Sequence, residues 1–131
     1  MPARRSECPI SFALDLLGDR WSLLVVRDLG LKGRHTFAEL LEGGEGIARN
    51  ILADRLKKLE HAGIVSRMPH ETDGRRHHYA LTEKGKDLLP LLVEMIVWAA
   101  KHDAHTTVSA AWVRKARRDR EGLLARLRRD A

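Results

Sequence analysis

The side chains best equipped for chemistry lie between Thr36 and His77. Arg49, Asn50 and Lys57 recur on one side of a segment with helical periodicity. Their guanidinium, amide and ammonium groups can hydrogen-bond base edges or phosphates. This pattern predicts contact with DNA. The candidate DNA-contacting residues are Thr36, Arg49, Asn50, Ala53, Asp54, Lys57, Arg75, Arg76 and His77.

The single cysteine, Cys8, is the candidate for redox or electrophile chemistry. It directly precedes Pro9 at the expected start of a helix, with Arg4 and Arg5 nearby, and helix-end donors and positive charge favour a thiolate. One cysteine cannot form an intrachain disulfide or a multi-cysteine zinc site. Oxidation or alkylation would instead give a Cys8–Cys8 disulfide between subunits, a mixed disulfide or an alkylated thiol. The alternative is a small buried residue in a dimer interface.

The histidines do not form a convincing metal site. His77 and His78 point to opposite faces of an expected strand, and His102 and His105 straddle an expected helix end. No cluster of acidic residues or cysteine completes either pair. Phosphate loops, dinucleotide fingerprints and nucleophile elbows do not occur in the sequence. We therefore expect no metal, no cofactor and no enzyme activity.

Two helices and a glycine turn are expected to position the candidate residues. Thr36 and Glu39 form a capping-box pattern at the start of a short helix. Glycines at 43, 44 and 46 interrupt the chain, and a longer helix of apolar 3.6-residue periodicity follows to Gly63, which is expected to end it in a left-handed conformation. Arg55 on this helix fits a structural ion pair with Glu39 or Asp28 as well as it fits DNA contact.

A β-hairpin wing is predicted next, at about residues 64–81. Strands are expected at 64–68 and 79–81, and Glu71-Thr72-Asp73-Gly74 supplies turn chemistry between them. Two arginines directly after the turn suit a phosphate backbone or a narrow minor groove. The predicted fold class is mainly α with a small β-hairpin: a winged helix-turn-helix with flanking dimerisation helices.

Flanking helices are expected at Pro9–Leu17, at Trp21–Leu31 with Asp19 as its N-cap, and at Thr82–His102 with a kink at Pro90. The 4-3-4 spacing in the last of these helices is typical of a packing seam. We predict a twofold dimer through these helices, the alternative being a seam packed within one protomer. The candidate interface residues are Pro9, Ile10, Leu88, Leu92, Met95, Trp98, Ala99 and Trp112.

Composition supports an anionic partner. The chain has 131 residues, with 24 Lys and Arg against 18 Asp and Glu and a net charge of +6, and nucleic acid is the usual partner of such a basic domain. An amino terminus without an apolar core and the lack of a long apolar run predict a cytoplasmic protein that does not contact a membrane.

The order of several short phrases resembles the HxlR-type regulators, which are bacterial winged helix-turn-helix transcription factors of the MarR-like class. The resemblance covers about residues 8–102 and implies a homodimer on a palindromic operator, with the recognition helix at about 48–61 and the wing tip at 71–77. It also implies oxidant or electrophile sensing at Cys8. The phrases are Cys8-Pro9-Ile10, Leu17-Gly18-Asp19-Arg20-Trp21, Leu24-Val25-Val26-Arg27-Asp28-Leu29, Phe37-Ala38-Glu39-Leu40, Leu52-Ala53-Asp54-Arg55-Leu56, Leu59-Glu60-His61-Ala62-Gly63-Ile64-Val65, Tyr79-Ala80-Leu81-Thr82-Glu83-Lys84-Gly85 and Leu89-Pro90.

Two features depart from that family pattern. Ala48 stands where Ser or Thr often caps the recognition helix, and a basic tail follows His102. We therefore divide the chain into a domain at 1–102 and a helical extension at 103–131, with one helix expected at Ser109–Arg129. The extension could join the dimer interface, contact flanking DNA or pack loosely, and the first is favoured because Trp112 needs burial.

The sequence therefore predicts a dimeric DNA-binding transcription regulator, and repression is favoured over activation. Two alternatives stay open at this point. One is a winged-helix adapter in a transcription assembly. The other is a regulator that responds to a small ligand bound between the dimer helices.

Overall fold

The computed structural model describes residues 5–69 and 76–131, where the chain forms eight helices and one two-stranded antiparallel sheet. Arg4, the turn at 71–74 and Arg75 lie outside these described residues. The elements in chain order are α1 Pro9–Leu17, α2 Ser22–Leu31, α3 Phe37–Leu41, α4 Arg49–His61, β1 Val65–Pro69, β2 His77–Leu81, α5 Glu83–Lys86, α6 Leu89–His102, α7 Ala110–Arg118 and α8 Arg120–Asp130.

Asp19 caps the first turn of the central helix α2, although Trp21 occupies the N-cap position that was predicted for Asp19. Its Oδ2 accepts hydrogen bonds from the backbone N–H groups of Trp21 at 2.9 Å and Ser22 at 3.0 Å. The Ser22 hydroxyl donates to Oδ1 at 2.5 Å. These bonds satisfy backbone donors that the first turn of a helix leaves unpaired.

The capping box at the start of α3 is also confirmed. The Thr36 hydroxyl accepts from the Glu39 N–H at 3.2 Å, and Glu39 Oε1 accepts from the Thr36 N–H at 3.0 Å. At the start of α4, Ala48 offers no side-chain cap. Gly63 ends α4 with a φ of 78°, and the Ile64 N–H then bonds back to the Leu59 carbonyl at 2.9 Å, which is the predicted left-handed end.

The hairpin strands pair in a register from Val65 opposite Leu81 to Pro69 opposite His77. The first strand therefore starts one residue later than predicted, and the second starts two residues earlier. The segment before α3 lies along the sheet edge, because the Tyr79 N–H donates to the His35 carbonyl at 2.7 Å. The wing is thus joined directly to the start of the helix-turn-helix.

The core forms where α2 meets α4, the sheet and α8. Val26 and Leu29 on α2 are 0% and 1% exposed, and Leu52 and Leu59 on α4 are 0% and 2% exposed. Leu127 of α8 packs against the same cluster. The tail helix α8 is therefore part of the main core rather than an independent unit.

The prediction of one kinked helix over Thr82–His102 was wrong. Thr82 caps only the short α5, accepting from the Gly85 N–H at 3.1 Å. A turn follows, and Pro90 then lies in the first turn of α6. Proline does not destabilise the helix at that position, because the N–H that it lacks would have no hydrogen-bond partner within the helix there.

The tail also breaks where one helix, Ser109–Arg129, was expected. Asp119 separates α7 from α8 and caps α8 by accepting from the Gly122 N–H at 3.0 Å. Trp112 of α7 packs half-buried against a second small cluster of Val93, Ala116 and Leu123. The burial that Trp112 requires is therefore met inside the protomer, which removes the reason for assigning it to a dimer interface.

Candidate nucleic-acid interface

Helix α4 presents one buried side and one exposed side. Leu52, Leu56 and Leu59 are buried in the core. The exposed side carries guanidinium, amide, methyl and ammonium groups in successive turns, and no other described element covers it. Its exposed residues are Arg49, Asn50, Ala53, Asp54 and Lys57. All five were candidates from the sequence, and the structure brings them together on one helix face.

Asp54 and Arg55 form ion pairs at the edge of this face. Arg55 donates from Nε to Asp19 Oδ2 at 2.8 Å and also pairs with Asp54. Lys58 lies 3.4 Å from the same Asp54 oxygen. The structural role of Arg55 is therefore present, but with Asp19 and Asp54 in place of the expected Glu39 or Asp28. Asp54 already accepts from two cations, and DNA contact by it stays a prediction.

Arg49 links α4 to α3. Its guanidinium carbon lies 5.7 Å from the ring centre of Phe37, a distance at which a cation and an aromatic face attract. The contact holds a flexible side chain at the helix start, where Ala48 supplies no cap. Sequence reasoning missed this pair, although an aromatic residue at position 37 was a signal for it.

A cleft of about 480 Å³ separates the helix-turn-helix from the wing. Thr36, Arg49, Arg76 and His77 contribute polar groups to its lining. Arg76 is exposed, and His77 Nδ1 is buried with no hydrogen-bond partner among the described residues. Glu42 also lines the cleft, which therefore offers two guanidinium groups and one carboxylate to a ligand that approaches between α3 and β2. Arg75, predicted beside Arg76, lies outside the described residues.

A buried ionic network fastens the turn between α3 and α4 to α2. Asp28 is 4% exposed and accepts from Arg27 Nε at 3.0 Å and Arg34 Nη1 at 2.8 Å. Arg27 also reaches Glu45 in the turn at 3.1 Å. Buried charges require such partners. A charged pair inside the apolar run of α2 was the sequence signal for this network.

Cys8 lies at the N-cap position of α1 and is exposed. Its carbonyl accepts from the Phe12 N–H at 3.0 Å, and its side chain makes no capping hydrogen bond. Arg5, which the sequence places near the thiol, has its Nε 3.7 Å from an Asp15 carboxylate oxygen. The Cys8 thiol is therefore accessible at the start of a helix, and the nearby Arg5 guanidinium lies against Asp15.

The histidines lie as the alternation of a strand requires. His78 stacks on His35 with ring centres 4.8 Å apart, whereas His77 meets Tyr79 on the other face. Within residues 5–69 and 76–131, His, Cys, Asp and Glu side chains form no group of three that could hold a metal ion. No helix in these two ranges has the length and apolar character that crossing a bilayer requires.

The candidate dimer residues divide into exposed and buried sets. Ile10 is 70% exposed on α1, and Met95 and Trp98 are 46% and 68% exposed on α6. Pro9 is exposed, whereas Ala99 is half-buried. Leu92 is 6% exposed inside its own core, and Leu88 packs against that core. The expected 88-92-95-99 seam is therefore corrected: Leu92 lies in the protomer core and Leu88 packs half-buried against that core, so the protomer itself covers these two members.

Known proteins match this chain over most of its length. The HxlR-like helix-turn-helix family model matches residues 16–107. The HTH-type transcriptional regulator Mb3122 of Mycobacterium bovis is 38% identical over 90 residues, which are 69% of this chain and 56% of that longer protein. The HTH-type transcriptional regulator YvaP of Bacillus subtilis is 38% identical over 95 residues, 72% of this chain and 87% of its own.

Solved structures agree with the fold. The reduced form of the transcriptional regulator YodB from B. subtilis has a TM-score of 0.61 and 35% identity, covering 77% of this chain and 99% of its own. The redox regulator HypR in its oxidised form has a TM-score of 0.62 and 30% identity. The match covers 72% of this chain and 97% of the HypR chain. The fold is that of the winged-helix transcription regulators, and the chain belongs to the HxlR-like helix-turn-helix family.

Proposed function

We propose that this protein is a sequence-specific transcription regulator, acting as a repressor, that binds a palindromic operator as a homodimer. The observation that carries the proposal is the exposed face of α4. Arg49, Asn50 and Lys57 project from a helix whose other side is fully buried. A rigid helix with a free polar face is what major-groove recognition requires.

The cleft beside the wing supports a second contact. Arg49 and Arg76 line it from α4 and from the start of β2. A backbone phosphate at the mouth of this cleft would accept from the exposed Arg76 guanidinium, while Arg49 on α4 stays directed to base edges. Such contacts fix the position of the helix on the duplex without reading sequence.

Dimerisation supplies the twofold symmetry that a palindrome needs. Ile10, Leu14, Leu91, Met95 and Trp98 expose large apolar side chains on α1 and α6. Exposed apolar groups of this size on two helices favour an intersubunit surface over solvent. The paired recognition helices would then enter successive major grooves about 34–36 Å apart.

A thiol switch at Cys8 is the proposed control. Two observations support it: Cys8 is exposed at the start of α1, and the similar proteins YodB and HypR were solved in oxidised, diamide-treated or quinone-bound forms. Because α1 carries part of the proposed dimer surface, a modification at its first turn would alter the spacing of the two recognition helices.

The test starts by selecting genomic fragments bound by the reduced protein. Arg49→Ala and Asn50→Ala should each weaken binding to the selected operator by about 1–3 kcal/mol for each lost base contact, whereas binding to unrelated duplexes should change less. Arg118→Ala is the matched control, because it removes an exposed cation from α7. If no sequence is enriched, or if both Arg49→Ala and Asn50→Ala bind the operator like the wild type, the proposed reading face is wrong and a protein-binding adapter becomes the better explanation.

A further inference from the structure

An open cleft between the end of α6 and α7 lies outside the DNA-facing surface. Its volume is about 340 Å³, within the range of about 300–1,000 Å³ found for small-molecule sites. Ala100, Val108 and Val113 give it an aliphatic wall. The family match ends at residue 107, so α7 and most of this wall are features of the extension rather than of the family pattern.

Three cations share the cleft with this apolar wall. Lys101, Arg114 and Arg117 line it, and no carboxylate does. None of the three has an ion-pair or side-chain hydrogen-bond partner within residues 5–69 and 76–131. Charges of one sign in a concave surface focus the electrostatic potential and concentrate ions of the opposite sign.

Two other cations of the tail are neutralised by carboxylates. Arg120 pairs with Glu94, and Arg128 pairs with Glu83 at 2.7 Å and Asp87 at 3.0 Å. These pairs attach α8 to the rest of the protomer. The cations of the cleft therefore differ from those that hold the tail in place, and their charge remains available to a ligand.

We propose that the cleft binds an amphipathic organic anion, a carboxylate or sulfonate carried by a compact hydrocarbon body. The guanidinium groups of Arg114 and Arg117 match the planar geometry of a carboxylate. The wall at Val108 and Val113 would cover the hydrocarbon part. Duplex DNA has no apolar body on its backbone to cover that wall, so it fits the cleft less well.

A second copy of the chain also fits the cleft poorly. The large exposed apolar residues of α6 include Met95 and Trp98. Ala100, in the aliphatic wall of the cleft, follows Trp98 by two residues, which is about 200° around the helix axis, whereas Lys101 lies only about 60° from Trp98. A dimer formed through the Trp98 side therefore leaves the aliphatic wall open to a ligand and has Lys101 at its edge.

The direct test is calorimetric titration of the whole protein with 1-naphthoate, without DNA. Binding should saturate at one molecule per protomer, and neutral 1-naphthylmethanol and inorganic phosphate should bind far more weakly. Arg114→Gln combined with Arg117→Gln should weaken naphthoate binding about tenfold or more, since two charge-assisted hydrogen bonds are lost. Lys101→Gln on α6 should weaken it in the same direction.

Lys115→Gln combined with Arg118→Gln is the matched control, because both residues belong to α7 but do not line the cleft. An equal loss in the control pair would mean that general charge, not the cleft, attracts the anion. Unchanged binding in both pairs would place naphthoate elsewhere, and equally tight binding of the alcohol would exclude a role for the charge. Duplex DNA that competes with naphthoate, and loses affinity with the same arginines, would assign the cleft to nucleic acid.

Discussion

Arg55 on α4 donates to the carboxylate of Asp19 at 2.8 Å, and the same carboxylate caps the first turn of α2. One side chain thus sets the start of the central helix and the position of the helix proposed to read DNA. Burial alone would raise the pKa of Asp19, but hydrogen bonds from the Ser22 hydroxyl, the Trp21 N–H and Arg55 outweigh it and hold that pKa below its usual range.

Asp19→Asn should lower the free energy of unfolding at pH 7 by about 1 kcal/mol, because the charged cap and its ion pair are lost. The pKa of Asp19 is depressed in the folded state. The stabilisation that the Asp19 carboxylate gives to the fold is therefore present above its unfolded-state pKa of about 3.9. That stabilisation disappears as the pH falls through the folded-state pKa. Urea titrations at pH 7 and pH 2.5 should show the wild type and the variant converging in acid.

Asp103→Asn serves as the control for this pH dependence, since Asp103 is exposed and forms no ion pair with any described residue, and the hydrogen bond that it accepts from the His105 N–H can also be accepted by Asn. The control should follow the wild type at both pH values. A gap between the wild type and Asp19→Asn that is as large in acid as at neutral pH would contradict a role for the carboxylate charge.

Thr36→Ala should destabilise the protein by about 1 kcal/mol, because it removes the acceptor for the Glu39 N–H at the start of α3. Thermal unfolding followed by circular dichroism measures the loss. Thr36→Ser should retain most of the stability, and Thr107→Ala, at an exposed threonine outside any helix, should have little effect. Equal stability of Thr36→Ala and the wild type would show that the capping box contributes nothing.

Trp98→Asp should dissociate the proposed dimer without unfolding the protomer, because Trp98 is 68% exposed on α6. Sedimentation equilibrium should report a monomer with native circular dichroism. Leu92→Asp should instead unfold the protein, since that side chain lies in the core. Ala111→Asp, an exposed site on α7, provides the charge control, and a Trp98→Asp variant that remains dimeric would move the interface elsewhere.

Cys8→Ser should abolish any response of operator binding to diamide. In the wild type, diamide would take two electrons and two protons from two Cys8 thiols, forming one disulfide between subunits and the corresponding hydrazine. Non-reducing electrophoresis and operator affinity should change together and recover with dithiothreitol. Identical diamide behaviour of the two proteins would remove Cys8 from the proposed switch.

Arg76→Ala should weaken binding to operator and unrelated DNA alike, because a wing cation at this cleft would contact phosphate. The slope of log K against log salt should flatten by about 0.9 for each lost phosphate contact. Titrations at several salt concentrations measure this, with Arg118→Ala as the control for net charge. A selective loss for the operator alone would instead make Arg76 a base-reading residue. The same behaviour is predicted for Arg75.

Local patterns predicted the elements with strong chemical signatures. Thr36 and Glu39 identified the start of α3, Asp19 the start of α2, and Gly63 the end of α4, because each of these residues acts within a few positions of itself. The exposed face of α4 followed from the spacing of its buried leucines. These signals need no knowledge of the rest of the chain.

Features that depend on distant partners could not be predicted in the same way. The breaks before Pro90 and at Asp119 lie within sequences of continuous helical periodicity, and tertiary packing decides them. The ion pair between Arg55 and Asp19 joins two residues that lie 36 positions apart in the sequence. Leu92 was assigned to a dimer seam because the periodicity of a helix does not reveal which side the protomer itself covers.

The position of Leu127 has a consequence for synthesis on the ribosome. This residue of α8 packs against both the main core around α2 and the small cluster beneath α7. A nascent chain that has emerged only to α6 therefore lacks one wall of its core, although its helix-turn-helix is already complete. We expect the lasting native fold to form only after α8 has left the exit tunnel, so that translation of the tail sets the time at which the protein first becomes stable.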